Sequence, residues 1–198
     1  RQLLPGMFNE TGYYVAFDQT LRENIAGHAH GIVLDPQTAL ETDFKDQQVT
    51  IVDCPPDLAM LSALWQNGGQ PAMIRLLLWE KHPVRFGLPN RQQFAMLYRF
   101  LRQYPEIANY RQQQPAMARS LLMPVEQLNW MITVFYEAKF VTINDGVLRL
   151  AEHPAHVDLE QTKCYQQHAA HLKSAQVLLY SDTHTLRKRV AAWLMANE

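Results

Sequence analysis

The chain has 198 residues, of which 47% are hydrophobic and 19% charged, a composition that excludes an intrinsically disordered protein. Eighteen basic and nineteen acidic residues leave a net charge of −1, so no overall positive field attracts nucleic acid and any such contact has to be local. With no apolar run near the roughly 18 residues of a membrane span, no signal peptide and only two cysteines, we expect a cytoplasmic protein without a membrane partner.

The first part of the chain alternates short apolar runs with helical stretches. Four of these runs are almost continuously apolar, which is typical of strands covered on both faces of a sheet. They lie at 13–17, 31–34, 49–52 and 73–78. The clearest helix between them is predicted at 57–65, with Asp57 as its cap and Asn-Gly-Gly at 67–69 as its end. Strands that alternate with helices predict a parallel, layered α/β sheet.

The spacing of the apolar residues changes to a helical period at Asn90. Asn90 is a good N-cap, Gln93 stands at the capping-box position, and the apolar residues that follow lie on one face of a helix. A cluster of Pro and Gly between 81 and 89 marks a boundary before this helix. We therefore predict an α/β (Rossmann-like) subdomain at 1–85 and a second subdomain at 86–198.

The second subdomain contains a helix–turn–helix pattern followed by a hairpin. Helices are predicted at 116–123 and 125–138, and Asn-Asp-Gly at 144–146 separates two short apolar runs. These turn residues accept the positive φ angles of a tight turn, so the pattern predicts a β-hairpin and outlines a winged-helix-like α+β unit. Two C-terminal helices are predicted at 158–180 and 185–195. The predicted fold class is thus α/β, with a small parallel-sheet subdomain followed by a winged-helix-like subdomain and C-terminal helices.

Three aspartates stand where predicted strands end: Asp18, Asp35 and Asp53. Such strand ends line the binding crevice of an open parallel sheet, where carboxylates can hold Mg²⁺ or Mn²⁺ for phosphate hydrolysis. The simpler interpretation is helix capping, because Pro36 follows Asp35 and a weak helix follows Asp18. Both interpretations stay open here, and the first keeps a metal-dependent phosphate hydrolase as an alternative function.

The sequence contains neither a Gly-rich phosphate loop nor a Gly-x-Ser-x-Gly motif, so these motifs indicate no reaction centre. Cys54 follows a strand, as a nucleophile can, but a buried free thiol is the commoner case. The pairs His28 with His30 and His168 with His171 lack the third ligand that zinc requires, and we interpret them as surface residues.

The second helix of the winged-helix-like unit is a poor match for DNA. Glu126, Glu137 and Lys139 give it two acids and one base, whereas duplex DNA carries one charge per about 1.7 Å of its axis. The helix is also apolar around much of its circumference, which indicates burial on more than one side. Protein docking is therefore favoured over groove reading, and an independent winged-helix DNA-binding regulator stays as an alternative.

Basic residues gather on two other predicted helices. The candidate binding residues are Arg91, Tyr98, Arg99 and Arg102 on one helix and Arg187, Lys188 and Arg189 on the last one. They either solvate a helix face or form a cationic rim beside apolar side chains such as Trp193. Such a rim suits an acidic peptide with an apolar tip, or a few nucleotides of single-stranded DNA.

Several segments resemble the C-terminal accessory domain of the RecJ family of single-strand-specific exonucleases, in the form found in Firmicutes. These segments are 88–94 with Leu97, Tyr98 and Leu101; 131–132 with 134–135; 140–141; 144–147; 158–159 with Tyr165 and Gln166; 179–181; and, more weakly, 52–58. Their order and spacing extend the resemblance over nearly the whole chain. At 155–157 this chain has Ala-His-Val where the family tends to place basic residues.

The resemblance implies that this chain is a fragment of a longer protein, as its start at Arg1 also leads us to expect. RecJ-type enzymes hydrolyse single-stranded DNA from the 5′ end in DNA repair and recombination, with Mn²⁺ or Mg²⁺ in a core whose Asp-His-His and Gly-Gly-Gly-His motifs do not occur here. The resemblance thus implies no catalytic residue and no cofactor in this chain, but a role in docking partners or guiding single-stranded DNA. The implied partners are the rest of the RecJ chain, the acidic tail of single-stranded DNA-binding protein, and single-stranded DNA.

Overall fold

The computed structural model describes residues 3–66, 70–80, 86–152 and 157–195. The chain divides into two compact units: unit 1 comprises Arg1–Pro83 and Ala170–Glu198, and unit 2 comprises Val84–Ala169. The division before Val84 lies close to the predicted end of the first subdomain at residue 85. Residues 170–198, which the sequence places in the second subdomain, belong instead to unit 1.

Unit 1 is built around a four-stranded parallel sheet, as the alternation of apolar runs and helices predicts. Its strands are β1 (Tyr13–Val15), β2 (Ile32–Leu34), β3 (Gln48–Asp53) and β4 (Met73–Trp79), in the order β2-β1-β3-β4. The helices of this part are α1 (Gln19–Ala26), α2 (Pro36–Glu41) and α3 (Leu58–Ala63), after a 3₁₀ turn at Pro5–Phe8. The Asn-Gly-Gly stop predicted at 67–69 and Pro83 of the Pro and Gly cluster lie outside the described residues.

Both faces of this sheet are covered by apolar side chains. Val49 and Ile51 of β3 lie in one core with Leu61 of α3, whereas Val52 lies in a second core with Leu21 of α1. Each face of β3 therefore meets a core of its own. This explains why the consecutive residues Ile51 and Val52, whose side chains point to opposite faces of the sheet, are both apolar.

Aspartates begin the three helices of this part, which confirms the capping interpretation for Asp18 and Asp35. The side chains of Asp18, Asp35 and Asp57 each accept a hydrogen bond from a backbone N–H in the first turn of α1, α2 and α3. Because these N–H groups have no partner within the helix, the caps fix where each helix begins after its strand.

Unit 2 is built from helices and short strands. They are α4 (Arg91–Gln103), β5 (Glu106–Ile107), α5 (Tyr110–Ser120), α6 (Val125–Glu137), β6 (Val141–Asn144) and β7 (Val147–Leu150). The strands form an antiparallel sheet in the order β5-β7-β6. The predicted hairpin turns at Asp145 and Gly146, whose φ angles are 50° and 76°, and the predicted capping box is present at Asn90 and Gln93.

Two elements of unit 2 differ from the sequence prediction. The α5 helix begins at Tyr110, not at residue 116, and contains Pro115. Proline has no N–H, so the carbonyl of Arg111, four residues earlier, lacks its usual helical donor. Pro115 and Arg111 are both exposed, so water can supply the missing hydrogen bond. The β5 strand was not predicted, because a strand of two residues leaves no periodic signal in the sequence.

The α6 helix lies at the centre of the unit 2 core. Its side chains Leu128, Met131, Val134 and Phe135 are at most 1% exposed and cover a broad arc of the helix. Phe94 of α4 packs against Phe135 with ring centroids 5.8 Å apart. This burial explains why the helix is so rich in apolar residues.

The chain ends in two helices, α7 (Lys163–Leu179) and α8 (Thr183–Met195), after a 3₁₀ turn at Leu159–Gln161. The division between the units falls within α7. Leu178 is buried in the unit 1 core that contains β3, and Leu186 and Trp193 of α8 pack against the same core. This packing is the reason that the end of the chain belongs to unit 1. In the described part of the chain, no helix combines the length and the apolar character needed to cross a membrane.

Candidate docking site

The carboxylate of Asp53 ties the end of β3 to the turn after β1. Its two oxygens accept hydrogen bonds from the backbone N–H groups of Phe17, at 2.8 Å, and Asp18, at 2.7 Å. Asp53 is only 6% exposed, and this burial raises the pKa of its carboxyl above the usual value, although the two hydrogen bonds act in the opposite direction. Asp53 therefore holds the ends of two neighbouring strands together.

Arg22 holds the same turn by donating hydrogen bonds to carbonyl groups of the turn. The guanidinium Nη1 of Arg22 donates to the oxygens of Ala16, at 2.9 Å, and Phe17, at 3.0 Å. The Asp18 side chain accepts a hydrogen bond from the N–H of Leu21 at 2.7 Å. An open parallel sheet usually binds its ligand at this end of the strands. Here the polar groups at the ends of β1 and β3 are satisfied by the chain's own hydrogen bonds.

Asp35 is engaged at the start of α2 by the side chain of Thr38 as well as by the backbone. The Thr38 hydroxyl donates to the carboxylate at 2.6 Å, and this bond lowers the pKa of Asp35. Within the described residues, no three side chains of His, Cys, Asp or Glu are grouped so as to hold a metal ion. The geometry thus gives no support to a metal site built from Asp18, Asp35 and Asp53.

The buried thiol and two of the histidines serve packing and pairing. Burial raises the pKa of the Cys54 thiol to about 12, so the thiol is protonated and unreactive at neutral pH. His168 stacks on Phe86 with ring centroids 4.8 Å apart, and Nε2 of His171 lies 3.1 Å from a carboxylate oxygen of Glu80. Both histidines are half-buried, so they are less exposed than the sequence predicts and pack against neighbouring side chains.

The exposed side of α6 and the adjacent hairpin carry little free positive charge. Glu126 and Glu137 are exposed on the helix, and Lys139 places its Nζ 5.5 Å from the centroid of the Tyr136 ring. Arg149 of the hairpin forms an ion pair at 3.1 Å with a glutamate of β5. These side chains do not form the row of free cations that would neutralise the phosphates of a duplex.

The first set of predicted binding residues lies along one side of α4, in unit 2. Arg91, Tyr98 and Arg102 have spacings of seven and four residues, which return to the same side of an α-helix, and Arg99 stands beside them. The three arginines are exposed, whereas Tyr98 is half-buried with its ring edge-on to Phe140 at 6.0 Å. We call Arg91, Tyr98, Arg99 and Arg102 the α4 cluster.

The second set of predicted binding residues lies on α8, in unit 1. Arg187, Lys188 and Arg189 are all exposed, and we call them the α8 cluster. None of the three forms an ion pair with a carboxylate of the residues that the structure describes. Their charges are therefore available to a partner.

An apolar groove of about 990 Å³ lies between β4 and α8, and we call it the β4–α8 groove. Its apolar lining includes Leu76, Leu78, Leu178, Leu186, Val190 and Leu194. The charged residues of the lining are Arg75, Glu80 and Arg187. Arg75 is paired with Glu10 at 2.8 Å and Glu80 contacts His171, which leaves Arg187 as the unpaired charge among the described residues of the lining.

The residues of the predicted cationic rim are divided between the two units, with the α4 cluster in unit 2 and the α8 cluster in unit 1. Trp193, predicted beside the rim, is half-buried and packs against the core of unit 1. The groove itself was not predicted, because strand and helix meet there from distant parts of the sequence. One signal was present: Leu186, Val190 and Leu194 recur at every fourth residue and mark an apolar side of α8.

Comparison with known proteins identifies one family. A family model described as the C-terminal domain of single-strand DNA-specific exonuclease matches residues 1–190. The single-stranded-DNA-specific exonuclease RecJ of Bacillus subtilis (strain 168) is 24% identical over 166 residues, which are 84% of this chain and 21% of that protein. The chain thus spans about a fifth of the length of this curated relative. No solved structure matches the chain.

Proposed function

Since the chain belongs to the family of C-terminal domains of single-strand-DNA-specific exonucleases, we propose that it is the non-catalytic docking domain of a RecJ-type 5′–3′ exonuclease. In this proposal the rest of the RecJ chain carries the reaction and its Mn²⁺ or Mg²⁺, in the cytoplasm, during DNA repair and recombination. This domain would bind partners such as the acidic tail of single-stranded DNA-binding protein.

The observation that carries this proposal is the β4–α8 groove, which has Arg187 of the α8 cluster in its lining. The groove offers an apolar surface to the tip of a peptide, and Arg187 lines it with an unpaired charge among the described residues. Lys188 and Arg189 are exposed on other sides of α8 and add positive charge near the groove without lining it. An acidic peptide with an apolar tip complements both features, since carboxylates meet cations while the tip leaves water.

A role in guiding single-stranded DNA is supported by the α4 cluster. Its three arginines are exposed along one side of the helix, where they can contact phosphates of a single strand that runs along it. Tyr98 lies among them but is half-buried against Phe140, so phosphate contacts, more than base stacking, would supply the affinity. The alternative of duplex recognition gains no support from the charges on α6.

Titration of the protein with three labelled probes tests these assignments. The probes are a single-stranded oligonucleotide, a duplex, and a peptide of about ten residues, mainly aspartate, that ends in phenylalanine. Exchanging Arg187 and Lys188 for glutamate is expected to weaken peptide binding by about tenfold or more, because like charges then face the probe. The matched pair Arg99→Glu and Arg102→Glu is expected to leave peptide affinity unchanged and to weaken oligonucleotide binding.

Three results would contradict the proposal. The first is peptide binding that ignores the Arg187 and Lys188 exchange. The second is tight, salt-sensitive duplex binding without affinity for the other probes, which would favour an independent DNA-binding regulator. The third is cleavage of the oligonucleotide by this chain alone in the presence of Mn²⁺, which would show a reaction centre of its own.

A further inference from the structure

The open edge of β4 offers main-chain hydrogen bonds beside the β4–α8 groove. β4 is the last strand in the order β2-β1-β3-β4, and no strand of the described residues pairs with its outer side. All seven residues of β4 are partly or fully exposed, whereas five of the six residues of β3 are buried. The edge is therefore accessible along the groove.

Pairing with β3 identifies which groups of β4 point outward. The N–H of Met73 donates to the carbonyl of Gln47 at 3.4 Å, so the main-chain groups of Met73 face β3. In a strand, the N–H and C=O of one residue point to the same side, and the side alternates from residue to residue. Ile74 and Leu76 therefore direct their N–H and C=O groups to the open edge.

A bulge limits the length of this edge. The register shifts between the pairs Ile51–Leu76 and Asp53–Trp79, and Leu78 has a φ of 51°, a left-handed conformation that leucine rarely adopts. Regular strand geometry thus extends over Met73–Leu76. This stretch provides room for an added strand of about four residues.

The charge of the groove favours an acidic occupant. Arg187 is the unpaired charge among the described lining residues, and Lys188 and Arg189 follow it on α8. A basic segment would be repelled by Arg187, whereas an acidic segment can pair with it. Alternate side chains of an extended segment would face the apolar wall that includes Leu186 and Val190.

We propose that an acidic, apolar-tipped peptide binds as an added β-strand along Met73–Leu76. Its main chain bonds to Ile74 and Leu76, its carboxylates lie near Arg187, and its apolar tip lies in the groove. This inference rests on the proposed function, because it specifies how the same peptide is held. Main-chain bonds position the peptide, while the groove and Arg187 select its composition.

Methylation of peptide amides tests the added strand without altering the protein. The aspartate-rich peptide is made in two versions, with methyl groups on one or the other alternate set of its central amide nitrogens. The version that loses the N–H groups facing β4 is expected to bind about tenfold more weakly, because its hydrogen bonds to the strand are lost. The other version carries the same number of methyl groups and is expected to keep its affinity.

Hydrogen–deuterium exchange supplies the matching measurement on the protein. Saturation with the unmodified peptide is expected to slow exchange at the amides of Ile74 and Leu76, because both become donors to the added strand. The amides of β6, which is an edge strand of unit 2, serve as the internal control and are expected to keep their rates.

The outcomes separate this inference from the proposed function. If both methylated versions bind equally and the β4 amides stay unprotected, strand addition is overturned while peptide docking stands. Protection of β4 that depends on protein concentration and not on peptide would identify a second copy of the chain as the occupant, which also overturns the inference. Absence of any peptide binding overturns the proposed function, and this inference with it.

Discussion

Asp53 shows how a residue type that suggests catalysis is used to hold the fold together. It is the last residue of β3, at the end of the sheet where α/β proteins often carry catalytic carboxylates. Both of its oxygens are nevertheless engaged by backbone N–H groups of the turn after β1. A carboxylate this deeply buried is stable only while such bonds compensate for its lost hydration. Loss of the Asp53 carboxylate should therefore lower the stability of the fold and should not affect the binding of a partner.

The exchange Asp53→Asn tests this structural role. An asparagine amide has one acceptor oxygen, so its NH₂ group would face one of the two donors, Phe17 N or Asp18 N, and leave it unsatisfied. We expect the free energy of unfolding to fall by about 1–3 kcal/mol in chemical denaturation. The control Asp145→Asn, at an exposed hairpin position with positive φ, should change it by less than about 0.5 kcal/mol. Equal stability of the two variants would contradict the role given to Asp53.

Residue types at the candidate site were predictable from the sequence, but their availability was not. Arg75 and Arg187 both line the β4–α8 groove, yet Arg75 is paired with Glu10 and Arg187 has no ion-pair partner among the described residues. Nothing in their local sequence distinguishes the two arginines. An ion pair between residues far apart in the chain depends on the tertiary fold, which local patterns do not encode.

Elements with local signals were predicted well. The α4 helix was predicted because its cap, its capping box and its apolar face all lie within a few turns of one another. The α5 helix was predicted too short, because a proline usually marks a helix boundary. The helix continues through Pro115 because this position is exposed and water can replace the lost hydrogen bond. The edge position of β4 was not predictable, since strand order depends on how the whole sheet assembles.

The two helices of the helix–turn–helix end in the same way, without the glycine that usually signals such an end. After α5, the N–H groups of Leu122 and Met123 donate to the carbonyls of Arg119 and Ala118, the pattern of a Schellman motif. Lys139 occupies the corresponding position after α6, with a φ of 62°. Leu122 has a φ of 52° and is 92% exposed, so it gains no burial in return for its strained backbone.

The exchange Leu122→Gly is expected to stabilise unit 2. Glycine adopts the left-handed conformation without the steric penalty of about 1–2 kcal/mol that leucine carries, and loses part of this gain to its greater freedom in the unfolded chain. We expect a net rise of about 0.5–1 kcal/mol in the free energy of unfolding, measured by denaturation. Leu122→Ala keeps the Cβ atom and serves as the matched control with little change. A glycine variant no more stable than the alanine variant would show that the turn is not strained.

For the whole molecule, the main difference from the sequence prediction is the placement of the C-terminal helices. An amphipathic pattern shows that α8 has an apolar side but does not show which core that side meets. Leu186 and Trp193 meet the core of unit 1, although unit 2 lies between the two parts of unit 1 in the sequence. Each unit has buried apolar cores of its own, so we expect each to unfold as a separate cooperative transition.

The tryptophans provide a separate probe for each unit. Trp65 is buried in unit 1, and Trp130 lies in unit 2, so 5-fluorotryptophan labelling reports both during denaturation by fluorine NMR. Leu61→Ala in unit 1 and Leu128→Ala in unit 2 remove matched leucines that are at most 1% exposed. Each exchange should destabilise its own unit by about 2–5 kcal/mol. Leu61→Ala is therefore expected to lower the midpoint of the Trp65 signal alone, and Leu128→Ala that of the Trp130 signal alone. A common shift of both signals with either exchange would mean that the chain unfolds as one cooperative body, in which case the two-unit division has no thermodynamic counterpart.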